Sequence, residues 1–267
     1  MRRQGFTEFK GIMLGGGQVE RKPEIWTIEE NYLKKRKKPL YQVLGLQADG
    51  EKTFVISLVG GGGKTTAGRQ LAREFSAAGY KTAFTTSTKI RIPDEGYLSE
   101  NFASWKKQYP EDYITAGIPW NLQKLTMVQG EQWEELKSWA DVIIVEADGA
   151  RMLPIKLPAA WEPVILKETS VIIGCIGLDC IGKPWKQVCF RWELGKGLNG
   201  GEVITPEKAA KVILSEDGLK KGTEGRRYVL LLNKGDTKER LEYGRKILEI
   251  TQLDGGITSF RRKGQEK

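Results

Sequence analysis

The stretch that decides the fold is Thr53-Phe54-Val55-Ile56-Ser57-Leu58-Val59-Gly60-Gly61-Gly62-Gly63-Lys64-Thr65-Thr66. Its first half, Thr53 to Val59, is apolar and β-prone and ends in glycines, as a buried strand does. From Thr65 to Ala78, residues Ala67, Leu71, Ala72 and Phe75 recur at helical spacing, and Gly79 reads as the stop. Four glycines followed by Lys-Thr-Thr therefore lie between a strand and a helix. Glycines let consecutive N–H groups turn toward one concavity that holds phosphate oxygens, and the helix aims its positive dipole end at the same point. In this reading Gly60, Gly61, Gly62, Gly63, Lys64, Thr65 and Thr66 bind a nucleoside triphosphate. Lys64 reaches the β- and γ-phosphates, and the Thr65 hydroxyl ligates Mg²⁺. The plain alternative is a glycine-rich turn that binds nothing.

The loop departs from the general pattern G-x-x-x-x-G-K-[ST], because Leu58 stands at the first glycine position. Its Gly-Gly-x-Gly-Lys-Thr core resembles the deviant Walker A loops of the signal-recognition, MinD and metal-insertion class of P-loop proteins. Many of those carry a lysine just before the glycine pair, where this chain has Val59. Activation of a dimer through that lysine is not expected, and the oligomeric state stays open, a dimer included.

Outward from the loop, strand-like and helix-like pieces alternate. Strands are expected at Lys81 to Thr86, Val142 to Val145, Val171 to Ile176, Tyr228 to Leu232 and Gly256 to Phe260. Helices are expected at Glu131 to Ala140, from Thr205-Pro206 to Leu214, and at Lys238 to Ile250. Residues 92–125, rich in Pro, Tyr and Trp, read as an irregular insert with short helices. Such alternation predicts an α/β, three-layer, P-loop NTPase-like fold with a mainly parallel sheet. Residues 1–39 read as a basic, flexible N-terminal extension, 40–260 as the nucleotide-binding domain, and 261–267 as a basic tail.

An acid at the end of a second strand is needed to hold Mg²⁺ or its water shell. In Val142-Ile143-Ile144-Val145-Glu146-Ala147-Asp148, four apolar residues carry Glu146 to the carboxyl edge of the sheet, where ligands bind in open α/β folds. Glu146 is the first choice for Mg²⁺ or for positioning water, and Asp148 can take either role instead. A solvated acid at a strand end is the structural alternative. Asn233-Lys234-Gly235-Asp236 also follows a strand and matches the Asn-Lys-x-Asp element that selects guanine. The Asp236 carboxylate would accept hydrogen bonds from guanine N1 and N2, while Asn233 and Lys234 brace the loop and cover the base. The pattern favours GTP, with ATP the alternative. Thr86, Thr88 and Lys89, in Thr85-Thr86-Ser87-Thr88-Lys89, are candidates for a switch segment facing the γ-phosphate; an ST-rich turn is the alternative.

Bulk properties narrow the chemistry. The 267 residues include no histidine, which removes imidazole bases and His-containing metal sites. Three cysteines, Cys175, Cys180 and Cys189, with no export signal, argue against a disulfide framework. No apolar run approaches a membrane span, so a cytoplasmic protein without a membrane partner is expected. The net charge is +9, but residues 1–39 supply +5 of it and residues 261–267 another +3. The densest run, Lys34-Lys35-Arg36-Lys37-Lys38, lacks interleaved aromatics and reads as a solvated linker, not a nucleic-acid contact.

Several pieces in order resemble the YqeC family of accessory proteins for selenium-dependent molybdenum hydroxylases. They are Leu44-Gly45-Leu46, Val59 to Thr66, Thr85 to Lys89, Val145 to Arg151, Lys156 to Ala159, Glu162 to Ile165, Gly177-Leu178-Asp179, Gly182-Lys183-Pro184, Arg191 and Leu232-Asn233. The resemblance implies a nucleotide-binding protein that helps mature or load a molybdenum cofactor, with the hydroxylase or its maturation proteins as partners. Two departures stand out: residues 1–39 have no counterpart, and Cys189 stands where a histidine is usual. A metal-inserting GTPase chaperone and a nucleotide-gated scaffold without significant turnover are the competing functions. A sulfur or selenium relay through Cys175 and Cys180 is a further idea, against which stands the apolar strand holding Cys175.

Overall fold

The computed structural model describes residues 23–93 and 112–260. In chain order its strands and helices are β1 (Glu24–Glu29), β2 (Tyr32–Arg36), α1 (Leu40–Val43), β3 (Phe54–Gly60), α2 (Lys64–Ala77), β4 (Thr82–Thr86), β5 (Lys89–Arg91), β6 (Ile114–Thr115), β7 (Ile118–Asn121), β8 (Lys124–Thr126), α3 (Glu131–Trp139), β9 (Val142–Glu146), β10 (Ile155–Lys156), β11 (Thr169–Gly177), α4 (Trp185–Val188), β12 (Cys189–Phe190), α5 (Pro206–Leu214), β13 (Arg227–Asn233), α6 (Lys238–Thr251) and β14 (Gly255–Ser259). Nine strands form one sheet in the order β2-β1-β14-β13-β11-β3-β9-β4-β6. From β14 to β6 every pairing is parallel, while β1 pairs antiparallel with both β14 and β2.

Alternation along each central strand sorts side chains onto two faces. Ile56 and Leu58 of β3, Ile144 of β9 and Leu231 of β13 meet Leu71 and Phe75 of α2 on one face. On the other, Val55 and Ile143 meet Trp133 and Leu136 of α3, while Leu230 and Leu232 meet Ile213 of α5 and Ile247 of α6. The result is the expected three-layer α/β architecture. Leu71 and Phe75 are fully buried, and burial of each such side chain stabilises by roughly 1.5–3 kcal/mol. Thr205 caps α5 by accepting from Lys208 N, with Pro206 at the first turn.

The amino-terminal boundary differs from expectation. Residues 24–36 are not outside the domain, because β1 pairs with β14 and extends the sheet. Ile25 is buried, and Glu30 and Asn31 turn the hairpin with φ of 50° and 67°. The basic run is not a self-repelling linker over Lys34 to Arg36. Lys34 and Arg36 pair with Glu29, and Lys35 pairs with Glu24, across the hairpin. These acids are distant enough in sequence that a count of the basic run alone misses them. Within the insert, β6 adds to the sheet edge, and β5, β8 and β7 form a separate three-stranded sheet. Residues 94–111 of the insert, for which short helices are expected, lie outside the described residues, as does the tail 261–267. Among the described residues no helix is long and apolar enough to cross a membrane.

Candidate functional site

Register explains how the site assembles. β3 and β9 are neighbours with Leu58 opposite Glu146, so the acid emerges where β3 becomes the glycine loop. Thr65 Oγ1 donates to Glu146 Oε2 at 2.7 Å. Asp148, two residues on, accepts from Gly60 N through Oδ2 at 3.0 Å and pairs with Lys64 Nζ through Oδ1 at 3.1 Å. Lys64 Nζ also donates to Gly60 O. The two carboxylates thus have different partners, Glu146 the hydroxyl and Asp148 the ammonium.

The loop itself is held in a protein-engaged form. Gly61 N donates to Cys175 O at 2.9 Å and Gly62 N to Leu153 O at 3.0 Å. With Gly60 N on Asp148, three of the four glycines expected to face one concavity are turned to protein acceptors. The N–H groups of Lys64, Thr65 and Thr66 precede the first intrahelical bond, Ala67 N to Gly63 O at 2.9 Å, and remain at the helix start, where an anion is favoured. The glycines serve close approach as much as phosphate. At Gly62, with φ of 67°, a Cβ would stand 2.1 Å from Gly177 N, so only glycine fits against β11.

Burial dominates the Glu146 carboxyl and raises it above the ordinary range, with Lys64 and the Thr65 hydroxyl offsetting this only in part. For Lys64, burial works against the charge, but Asp148 and then Glu146 outweigh it and leave the ammonium favoured. A hydroxyl and a carboxylate oxygen 2.7 Å apart suit a small hard cation bound octahedrally at about 2.1 Å, as Mg²⁺ is. A carboxylate disfavoured by burial also gains from such a cation.

The raised carboxyl has a consequence for stability. A group whose folded-state pKa is raised stabilises the fold below its unfolded pKa, and that stabilisation is lost as pH rises through the folded value. At pH 7 the Glu146 charge therefore works against the nucleotide-free fold. Glu146→Gln, which keeps an acceptor for Thr65, is expected to raise the urea midpoint at pH 7, with the gain shrinking toward pH 4. A midpoint lowered or unchanged at pH 7 would show that burial does not govern this group.

The other predicted residues fall in three places. Asn233 Nδ2 donates to Gly62 O at 2.9 Å while its Oδ1 accepts from Thr258 Oγ1, so it braces the loop against β14. Lys234, at φ of 63°, pairs with Asp179 at 2.8 Å. Asp236 accepts from Ser259 Oγ at 2.6 Å and pairs with Arg240 at 3.4 Å. Thr86 lies beside the site with its hydroxyl on Glu146 O, and Thr88 N caps that hydroxyl. Lys89 is not brought to the loop: it sits on the separate sheet with its ammonium 3.5 Å from the Trp120 ring centroid.

Sequence reasoning assigned no role to Lys156 and Glu162. Lys156 is fully buried between Asp148 at 3.2 Å and Glu162 at 2.6 Å, and Glu162 in turn holds Arg191. Together with Lys64 they form a chain of alternating charge, Lys64–Asp148–Lys156–Glu162–Arg191. The available signal was a lysine inside Pro154-Ile155-Lys156-Leu157, an apolar setting that a buried cation tolerates only with carboxylate partners. Burial disfavours the thiolate at each of the three cysteines. All three are buried, burial pushes Cys175 and Cys189 up to about 12, and Cys180 shifts the same way. A relay needs the thiolate.

A family model described as YqeC protein matches residues 56–193. The uncharacterized protein YqeC of Escherichia coli (strain K12) is 31% identical over 180 residues, covering 63% of this chain and 68% of that protein. The chain belongs to the YqeC family. The YqeC match takes in the glycine loop, Glu146, Asp148 and the whole alternating chain to Arg191, while Asn233 to Asp236 lies beyond it. Among solved structures, the signal recognition particle 54 kDa protein from Aeropyrum pernix K1 in complex with GDP is 14% identical with a TM-score of 0.38. The match covers 82% of this chain and 46% of that one, and it is too distant to carry any inference to this YqeC protein.

Proposed function

We propose that this YqeC protein binds a Mg²⁺–nucleoside triphosphate at the loop between β3 and α2. The observation that carries the reading is the convergence of Lys64, Thr65, Glu146 and Asp148 at one helix start on the carboxyl edge of a parallel sheet. Lys64 would leave Asp148 and Gly60 O for the phosphates, Thr65 and Glu146 would hold Mg²⁺, and Asp148 would position water or restrain Lys64. Mg²⁺ when bound supplies charge neutralisation on the phosphates. The biological setting proposed from the resemblance is cytoplasmic, in maturation of selenium-dependent molybdenum hydroxylases. Cells lacking the protein should lose that hydroxylase activity; full activity would overturn the setting and leave the nucleotide reading untouched.

Guanine preference is proposed from Asp236, whose carboxylate is oriented by Ser259 and partly exposed. Asp236→Asn presents an amide donor where guanine N1 and N2 need acceptors. It is expected to weaken GTP binding by about tenfold or more while changing ATP binding little. Titration with labelled GTP and ATP, with and without Mg²⁺, reads both. Retention of guanine preference in the variant removes Asp236 from base recognition.

One observation favours a second reading, a nucleotide-gated switch with negligible turnover. Lys64 and three glycine amides are engaged by protein groups, so a triphosphate has to exchange these contacts, a rearrangement a partner can sense. Single-turnover phosphate release with and without the hydroxylase separates the two, since a switch binds without releasing phosphate.

A further inference from the structure

A cavity of about 430 Å³ opens at the Arg191 end of the alternating chain, with Leu153 in its lining. Its size falls in the range of small-ligand pockets. Arg151, Lys186 and Arg191 line it with Phe190 and Trp192, and Glu193 is the one carboxylate in the lining. Among the described residues neither Arg151 nor Lys186 has a carboxylate partner, while Arg191 is held by Glu162. The Arg151 guanidinium lies 5.0 Å from the Phe190 ring centroid. That of Arg191 lies 4.4 Å from the same ring and 5.7 Å from Trp161. Parallel pairing of β10 with β12 sets Lys156 opposite Phe190 and so fixes this cluster from beneath.

Backbone conformation points the same way. Arg151, Met152 and Arg191 occupy the left-handed region at φ of 47°, 62° and 61°. Non-glycine residues held there concentrate at binding sites, where the surroundings over-determine them. The Arg151 guanidinium and the Lys186 ammonium, which have no carboxylate partner among the described residues, favour an anion, and guanidinium is suited to bidentate oxyanions. The ring faces and stacked arginines favour a flat group attached to it.

We infer that this cavity binds a small organic anion, a phosphate or carboxylate carried on a planar ring, as a second site separate from the triphosphate loop. The oxyanion sits between Arg151 and Lys186, the ring lies against Phe190 and Trp192, and Glu193 accepts from a ring N–H or O–H. The site also touches the control of the loop. Leu153 O holds Gly62 N, and Pro154 O accepts from Gly177 N at 2.8 Å, so the segment that pins the loop follows directly on Arg151.

The test uses the full chain and 1-naphthyl phosphate as probe, followed by tryptophan fluorescence, with Trp161 and Trp192 as reporters. 1-Naphthol and inorganic phosphate supply the ring and the anion alone, and both are expected to bind more weakly than the combined probe. Arg151→Gln and Lys186→Gln are expected each to weaken the probe about tenfold while leaving the urea midpoint in place. Lys64→Ala should leave probe binding unchanged, which separates this site from the triphosphate loop. No binding up to about 5 mM overturns the proposal. So does equal affinity in the Arg151→Gln/Lys186→Gln double variant, or loss of the probe in Lys64→Ala. Equal affinity for inorganic phosphate alone overturns the ring component.

Discussion

Lys64→Ala is expected to weaken binding of both MgGTP and MgATP by about 100-fold or more, with the base preference unchanged. Charge-assisted hydrogen bonds to a phosphate contribute about 1.5–3 kcal/mol each, and a lysine at this position makes more than one. The group is nearly buried, at 4% exposure, so water does not replace it. The structure also predicts that the fold survives. Asp148 loses one cation but keeps Lys156 at 3.2 Å and the Gly60 amide at 3.0 Å. Calorimetric titration with either nucleotide, alongside a urea curve, checks both halves. Wild-type affinity in a folded Lys64→Ala protein would remove the loop from nucleotide binding, whatever the sequence around it.

The second large effect concerns stability rather than ligand. Lys156→Met is expected to cost about 3 kcal/mol, toward the lower end of what breaking a buried ion pair costs. Removing the ammonium leaves Asp148 and Glu162 buried with one cation each, Lys64 and Arg191, so neither charge is wholly uncompensated. For a domain of this size that corresponds to a fall in melting temperature of roughly 6–12 °C. Adding Glu162→Leu removes the buried carboxylate that lost one of its two cations and leaves the partly exposed Arg191 to water, so the double variant should recover part of the loss in a urea midpoint measurement. A single variant as stable as the parent would mean that the chain contributes no net stabilisation and is kept for another purpose.

These two lysines show what was legible in residue order. Lys64 is announced locally: a strand, four glycines and a helix surround it within fourteen residues, and each feature has one physical reason to be there. Lys156 has no such frame. Its partners lie eight residues before and six after, in irregular chain, and its meaning comes from the pairing of β10 with β12. Arg191 is likewise silent in sequence beyond its place in the YqeC resemblance, because its partner Glu162 is 29 residues away. The same reasoning covers Lys34, Lys35 and Arg36, which look like a repelling run until a hairpin sets Glu24 and Glu29 across from them.

Sequence alone determined the alternation of strands and helices, the layer arrangement that follows from it, the loop, and the two acids at the carboxyl end of β9. Each is written in a window of a few residues by periodicity or by glycine's conformational freedom. Tertiary structure decided the rest. It determined that three glycine amides face protein carbonyls or a carboxylate, that Asn233 braces the loop from another strand, and that five alternating charges join it to a second cavity. Those features depend on side chains far apart in the chain meeting without water between them. Only the packing of the sheet and its neighbouring loops supplies that proximity.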